Sequence, residues 1–278
     1  VHYNTYRIRT GAPLAVYEPR CKEEYKMKRI VYLSLVCLLF FAQVACAKDD
    51  IVIVTKPDEV GKEITVRFEA GEDYTHPLKI NRLITVNTTP QIAVWIEDTD
   101  GRYIDTLYVT RRAGTQTWRT SPDLPAKKIR RPESLPCWSH RRGVVYPDGL
   151  FMPTRDNPVI DAITAASPAG DFRLMTKAPR DVTSFVVLVE VNNSADFNGA
   201  YPVDALPGTP GYSGGAWGSG QPSVIFAATV DLTAAPGTWE LAPVGHGSPD
   251  GTDGTIDPDV TGLTTARDIV RRITVSIE

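Results

Sequence analysis

Residues 161–167, Asp161-Ala162-Ile163-Thr164-Ala165-Ala166-Ser167, end in a serine preceded by small side chains. Small neighbours at Ala165 and Ala166 leave the backbone accessible and the Ser167 hydroxyl free to act as a nucleophile. The same residues also read as Asp161 capping one alanine-rich helical turn that Pro168 and Gly170 stop. Cys137-x-x-His140 together with His246 offers thiol and imidazole groups for zinc or for a Cys–His nucleophile. No second Cys/His pair completes that spacing, and a cysteine beside Trp138 equally suits a small buried hydrophobe. Asp250, Asp253, Asp257 and Asp259 fall in a glycine-punctuated loop. Hard oxygen donors at that density suit calcium, but the spacing is not that of an EF-hand, and Asx turns account for the same residues.

Two longer segments frame these groups. Residues 111–142 carry nine Lys/Arg against Asp123 and Glu133, a local positive stretch. Residues 199–222 hold seven glycines and four prolines with Tyr201, Tyr212 and Trp217 among them, the composition of a long loop that is either functional or simply mobile, as the basic stretch is either a site or a solvated face. Neither contains a phosphate-cradling P-loop nor a dinucleotide fingerprint behind a strand.

The elements that must position these residues read as strands. Ile64, Val66 and Phe68 alternate with Thr65, Arg67 and Glu69, and Ile92, Val94 and Ile96 precede the turn Asp98-Thr99-Asp100-Gly101, beyond which Leu107 and Val109 follow. Period-two alternation predicts strands with one buried face, the second pair as a half-buried hairpin. Residues 185–191 form a nearly continuous apolar run, expected of a central strand covered on both sides, and residues 224–232 and 273–277 supply later strands. Helix is expected only over residues 265–271, where Thr265-x-x-Asp268 has capping-box spacing, and over the alanine-rich piece at 161–166. Short strands separated by polar turns predict an all-β chain, a single-domain antiparallel sandwich of immunoglobulin-like type over residues 48–278. Ile64, Val66, Phe68, Val94, Ile96, Val187, Val189, Val275 and Ile277 are its expected common core.

Met27 opens a stretch with the form of a secretory signal over residues 27–47: Lys28 and Arg29, an apolar run at 30–42, then Ala45-Cys46-Ala47. Thirteen apolar residues fall short of the roughly 20 that span a bilayer, so cleavage after Ala47 is favoured over a membrane helix, and residues 1–26 read as upstream, non-mature sequence. Val44-Ala45-Cys46 has part of a lipobox, which gives a lipid anchor on Cys46 as the alternative, although Gln43 stands where an aliphatic residue belongs. The 278-residue chain has a net charge of -3 and a pI near 5.9. Seven basic and three acidic residues precede Lys48, so 23 Lys+Arg face 30 Asp+Glu beyond it, a charge of about -7 that excludes a nucleic-acid binder held by bulk electrostatics. Of four cysteines only Cys137 survives cleavage, which excludes an intramolecular disulfide in the mature chain.

The phrases Ala93-Val94-Trp95-Ile96-Glu97-Asp98, Arg131-Pro132-Glu133-Ser134-Leu135-Pro136-Cys137-Trp138-Ser139-His140-Arg141-Arg142, Val189-Glu190-Val191-Asn192-Asn193-Ser194 and Gly245-His246-Gly247-Ser248-Pro249-Asp250-Gly251, with Gly262-Leu263-Thr264-Thr265-Ala266, resemble a bacterial family of unknown function described as predicted periplasmic protein. The likeness spans roughly residues 90 to 275 and implies an exported protein working beside membrane flavin or iron reductases. The heptapeptide 161–167 is in turn similar to the acceptor sequence of extracytosolic flavin transferases. That similarity makes Asp161 the leading carboxylate, Thr164 the internal hydroxyl, Ala166 the small residue and Ser167 the acceptor of FMN, with Ala165 in place of the usual glycine. The implied function is a periplasmic electron carrier with covalent FMN, partnered by a flavin transferase and a membrane reductase. Tyr212 and Trp217 would stack on the flavin ring, and the basic segment would neutralise its charge. The rival function, of another class, is a redox-inert binding or structural module that engages a protein or glycan, stabilised in one version by calcium. For the leader, N-terminal sequencing of the exported protein is expected to read from Lys48; finding residues 1–26 on it would refute the signal at 27–47.

Overall fold

The computed structural model describes residues 51–79, 82–118, 129–159 and 167–277. The leader, Asp161, Thr164 and Ala166, and Arg119, Lys127 and Lys128 of the basic stretch lie outside them. Among the described residues the chain forms two five-stranded sheets and a two-stranded ribbon. The first sheet runs β1 (Ile51–Val54), β7 (Phe172–Lys177), β2 (Glu63–Ala70), β12 (Val270–Ile277), β10 (Gly237–Glu240). The second runs β11 (Ala242–His246), β9 (Val224–Asp231), β8 (Ser184–Asn192), β5 (Gln91–Glu97), β6 (Tyr103–Val109), and the ribbon is β3 (His76–Lys79) with β4 (Thr85–Thr88). Pairing is antiparallel except at one edge, where β1 runs parallel to β7. The architecture is the expected all-β sandwich.

Alternation builds the space between the sheets. Ile64, Val66 and Phe68 of β2, Phe172 and Leu174 of β7, and Ile273, Val275 and Ile277 of β12 face Val94, Ile96, Val187, Val189 and Val230 of the second sheet in one apolar cluster that holds all nine expected core residues. Phe68 stacks on Phe172 with centroids 4.2 Å apart, and Tyr108 packs on Phe172 at a tilt. β8 pairs with β5 on one side and β9 on the other, so the apolar run at 185–191 is a central strand.

Two expectations change. β5 is buried along its whole length rather than on one face. Ala93, Trp95, Leu188 and Ile225 point away from the inter-sheet core into a second cluster with Leu135, Cys137 and Trp138. That cover comes from two short helices, α1 (Arg111–Thr115) and α2 (Pro136–Arg141), the latter opened by a proline whose missing N–H costs nothing in the first turn. Residues 265–271 give only a 3₁₀ turn at Thr265–Asp268. Val270 pairs with Ala70, so the chain is extended one residue after Ile269, and Thr265 spends its hydroxyl on Asp196 Oδ1 at 2.6 Å instead of capping a helix.

α2 is fixed to the sheet by one side chain. Glu190 on β8 is fully buried and accepts from Trp138 N at 2.7 Å, Cys137 N at 3.2 Å and Ser223 Oγ at 2.5 Å. Two of the helix's orphan N–H groups are thereby satisfied by a carboxylate from another element. Glu190→Ala leaves those donors buried without an acceptor and is expected to cost roughly 2–5 kcal/mol. This would be read as a lower urea midpoint at unchanged slope, with Glu190→Gln recovering part of the loss.

Candidate functional site

Residues 129–133, which lead into α2, lie against the glycine-rich loop and the turn at Asp250, and the three enclose an open cleft of about 230 Å³. Its lining joins Arg130, Arg131 and Glu133 to Tyr212, Trp217 and Asp250. The two arginines come from the basic stretch, the two rings from the loop 199–222 and Asp250 from the acidic loop, so three segments far apart in sequence meet here.

Local geometry explains the meeting. Gly214 has φ +88°, and a β-carbon there would sit 2.7 Å from Glu133 Oε1, so only glycine lets the loop pass over that carboxylate. Gly251, at φ +74°, has its backbone pressed on Pro132 and Glu133 in the same way. Ser219 Oγ donates to the Glu133 carbonyl at 3.5 Å, and Ser213 Oγ accepts from Gly220 N at 3.1 Å, closing the loop on itself. Trp217 sits in a single 3₁₀ turn, Gly215–Trp217, and both it and Tyr212 are half-buried.

The positive stretch is more internally engaged than its composition implies. Arg130 pairs with Asp148, donates to the Met152 carbonyl at 2.5 Å and lies over the Tyr146 ring. Arg141 reaches Glu97 at 3.4 Å, and Arg142 lies over Trp138. Arg131 is buried with its guanidinium 4.8 Å from the Trp118 ring centroid, its nearest carboxylate oxygen is Glu133 Oε1 at 3.9 Å, and its Nε has no hydrogen-bond partner. Aromatic faces and single carboxylates therefore absorb the charge of these four arginines, because a guanidinium on a ring keeps its packing while it is desolvated.

Glu133 stands in the sequence as a minus charge beside nine plus charges and within the phrase Arg131–Arg142, neither of which gives it a site role. It is 3% exposed, and burial pushes its carboxyl up to about 7 while Arg131 and its own backbone N–H pull the other way. A buried acid beside an arginine in a cleft is a recurrent mark of a working site. The signal that could have found it is Arg131-Pro132-Glu133, a charge pair with a proline between and hydrophobic residues following.

The remaining expected residues lie elsewhere. Ser167 is half-buried, belongs to neither apolar cluster and is not among the residues lining the cleft. The chain beyond it is pinned by Tyr74, whose hydroxyl donates to the Pro168 carbonyl at 3.1 Å. Each aspartate of the acidic loop closes its own turn: Asp250 Oδ1 accepts from Thr252 N, Asp253 Oδ1 from Thr255 N, Asp257 Oδ1 from Asp259 N and Asp259 Oδ1 from Thr261 N. Partial burial works against the Asp250 charge, but the Thr252 and Ser248 hydroxyls hold that carboxyl below its usual range; Thr255 does the same for Asp253 and the Thr261 N–H for Asp259. No group of three His, Cys, Asp or Glu side chains among the described residues is placed to hold a metal. The Cys137 thiol, driven far up by burial, donates to the Thr255 carbonyl at 3.3 Å. His140 Nδ1 lies 2.9 Å from the Pro136 carbonyl and His246 Nδ1 2.7 Å from that of Gly247, so the three do not share a centre.

The raised Glu133 carboxyl carries a sign. Unfolded, it titrates near 4.5; folded, near 7, so between those values the folded state holds the extra proton and stability falls as pH rises. The Glu133→Gln protein lacks this loss, and its urea midpoint is expected to gain on that of the parent between pH 5 and pH 8. Midpoints that run parallel over that range would show an ordinary carboxyl. No known family model matches this chain, and neither does any curated protein or solved structure.

Proposed function

We propose that the protein works outside the cytosol as an electron carrier bearing FMN, joined through its phosphate to Ser167 Oγ by a flavin transferase and reduced by a membrane flavin or iron reductase. In the attachment the Ser167 oxygen forms a bond to the FMN phosphorus of a phosphoanhydride donor such as FAD, the anhydride breaks, and the nucleotide leaves with the charge while the hydroxyl proton passes to the transferase. The observation that carries the reading is the cleft, where Arg130 and Arg131 stand with Tyr212 and Trp217. Two aromatic faces and a guanidinium with hydrogen-bonding capacity left over fit a flat ring that takes up negative charge. When bound, the flavin supplies the redox chemistry; this chain supplies position and a field. Ser167 is half-buried, so part of its surface is open to another enzyme.

A second reading, the redox-inert binding module, is favoured by a different feature of the same cleft, the Glu133 and Asp250 carboxylates, which suit the hydroxyl donors of a glycan. Co-expression with an active flavin transferase separates the two. Wild-type protein is expected to gain the mass of one FMN and to fluoresce on a denaturing gel, and Ser167→Ala to gain none while its stability changes by no more than about 0.5 kcal/mol. An unmodified wild-type chain beside a modified control substrate, or an adduct that survives Ser167→Ala, would remove the carrier reading.

A further inference from the structure

The floor of the cleft holds a donor and an acceptor side by side, a loose ion pair at 3.9 Å in which neither has a full set of hydrogen-bond partners among the described residues. Arg131 makes no side-chain hydrogen bond among the described residues: the nearest carboxylate oxygen is 3.9 Å away, beyond bonding reach, and Nε has no partner. Trp118 packs against the guanidinium, with Cζ 4.8 Å from its ring centroid. The Glu133 carboxyl lines the cleft with Oε1 directly under the Gly214 backbone, and no hydroxyl or amide side chain among the described residues donates to it. Buried polar groups in native proteins are normally satisfied, and each exception asks for a cause. Water fills such a gap in many clefts, but the two rings at this one, Tyr212 and Trp217, offer a flat ligand a face as well as an edge.

We propose that Arg131 and Glu133 form a recognition site for the edge of a cyclic imide, a planar heterocycle in which a ring N–H adjoins a carbonyl, stacked against Tyr212 or Trp217. Arg131 donates to the ring carbonyl oxygen, and the Glu133 carboxylate accepts from the ring N–H. Such an edge is carried by the flavin ring and by uracil-type bases; choosing flavin as first probe rests on the function proposed above, while the site itself does not depend on attachment at Ser167. Glu133 accepts best when ionised. The groups that face it or its partner are Arg131 and Arg130 of its own segment, Arg112 of α1 acting on Arg131, Tyr212 of the glycine loop and Asp250 of the acidic turn. With the carboxyl pushed up to about 7 by burial, binding strengthens as pH rises through neutrality.

The test uses the Ser167→Ala chain, so that no covalent flavin can occupy the cleft and failure of the attachment reading leaves this one untouched. Lumiflavin, 3-methyl-lumiflavin and uridine are titrated at pH 6 and pH 8, with tryptophan fluorescence and calorimetry as readouts. Lumiflavin is expected to bind at pH 8 and about tenfold more weakly at pH 6. Its 3-methyl derivative, which lacks the ring N–H, is expected to bind at least about tenfold more weakly than lumiflavin at pH 8. Glu133→Gln should flatten the pH profile, and the methyl comparison needs no substitution at Glu133 should that variant fold poorly. Uridine binding as tightly as lumiflavin supports the edge site and makes the natural ligand a pyrimidine. Equal affinity for lumiflavin and its methyl derivative, an unchanged pH profile in Glu133→Gln, or no binding by either heterocycle overturns the proposal.

Discussion

A carboxylate on the middle strand of the second sheet decides what can be built on that sheet's outer face. Glu190 sits in a run of apolar residues, fully buried, and desolvation alone would make its charge untenable. Its stability rests on donors brought from elsewhere: the first N–H groups of α2 and the Ser223 hydroxyl. Burial pushes the carboxyl up to about 7, with the Ser223 hydroxyl and the helix amides holding it back from going further. Once α2 is seated there, Leu135, Cys137 and Trp138 close over Trp95 and Leu188, and Trp138 Nε1 reaches Thr106 Oγ1 at 3.0 Å. The segment just before the helix runs beside the glycine loop and the turn at Gly251, and the cleft lies between them.

The inter-sheet core was legible because period two is a direct projection of the strand's geometry onto sequence: Ile64, Val66 and Phe68 can share a face in no other extended arrangement. The outer layer was not, and β5 shows why. Ala93 and Trp95 alternate with Val94 and Ile96 without contrast in polarity, so the pattern marks the strand but not whether one face or both are covered. α2 is six residues long, too short for a helical period to appear. Cys137 and His140 have the residue types of ligands, but they are packing residues of that helix, the thiol in the outer apolar cluster and the imidazole against the Phe151 ring at 4.1 Å. The missed sign was Glu190 itself, since one acid inside a central strand demands donors that the strand cannot supply.

For the cleft, the sequence named four of the lining residues by type, the two arginines and the two aromatics, and named Asp250 for another purpose. It could not pair them, because Arg131 and Trp217 are brought together only by a loop whose course depends on positive φ at Gly214 and a close approach at Gly251. The four aspartates illustrate the opposite error of pattern: a density of carboxylates that looks like a ligand set is, in space, a succession of turns, each acid facing the amide two residues ahead.

Glu133 and Glu190 make a controlled comparison inside one molecule. Both are buried, Glu133 three residues before α2 and Glu190 on β8 against the helix's first turn, and burial raises both carboxyls to about the same value. They differ in what surrounds them. Glu190 is met by two amides and a hydroxyl within 3.2 Å, so its hydrogen-bonding capacity is used inside the fold and its removal is a matter of stability. Among the described residues Glu133 is met by its own backbone N–H, by one guanidinium at 3.9 Å and by the Gly214 backbone at the wall of a cleft. A buried charge with its donors in place is architecture; one left short of donors at a surface opening has a cost that only a ligand, or solvent held there, can offset. The same burial thus separates a strut from a site, and the difference lies in the count and distance of the donors around each carboxylate.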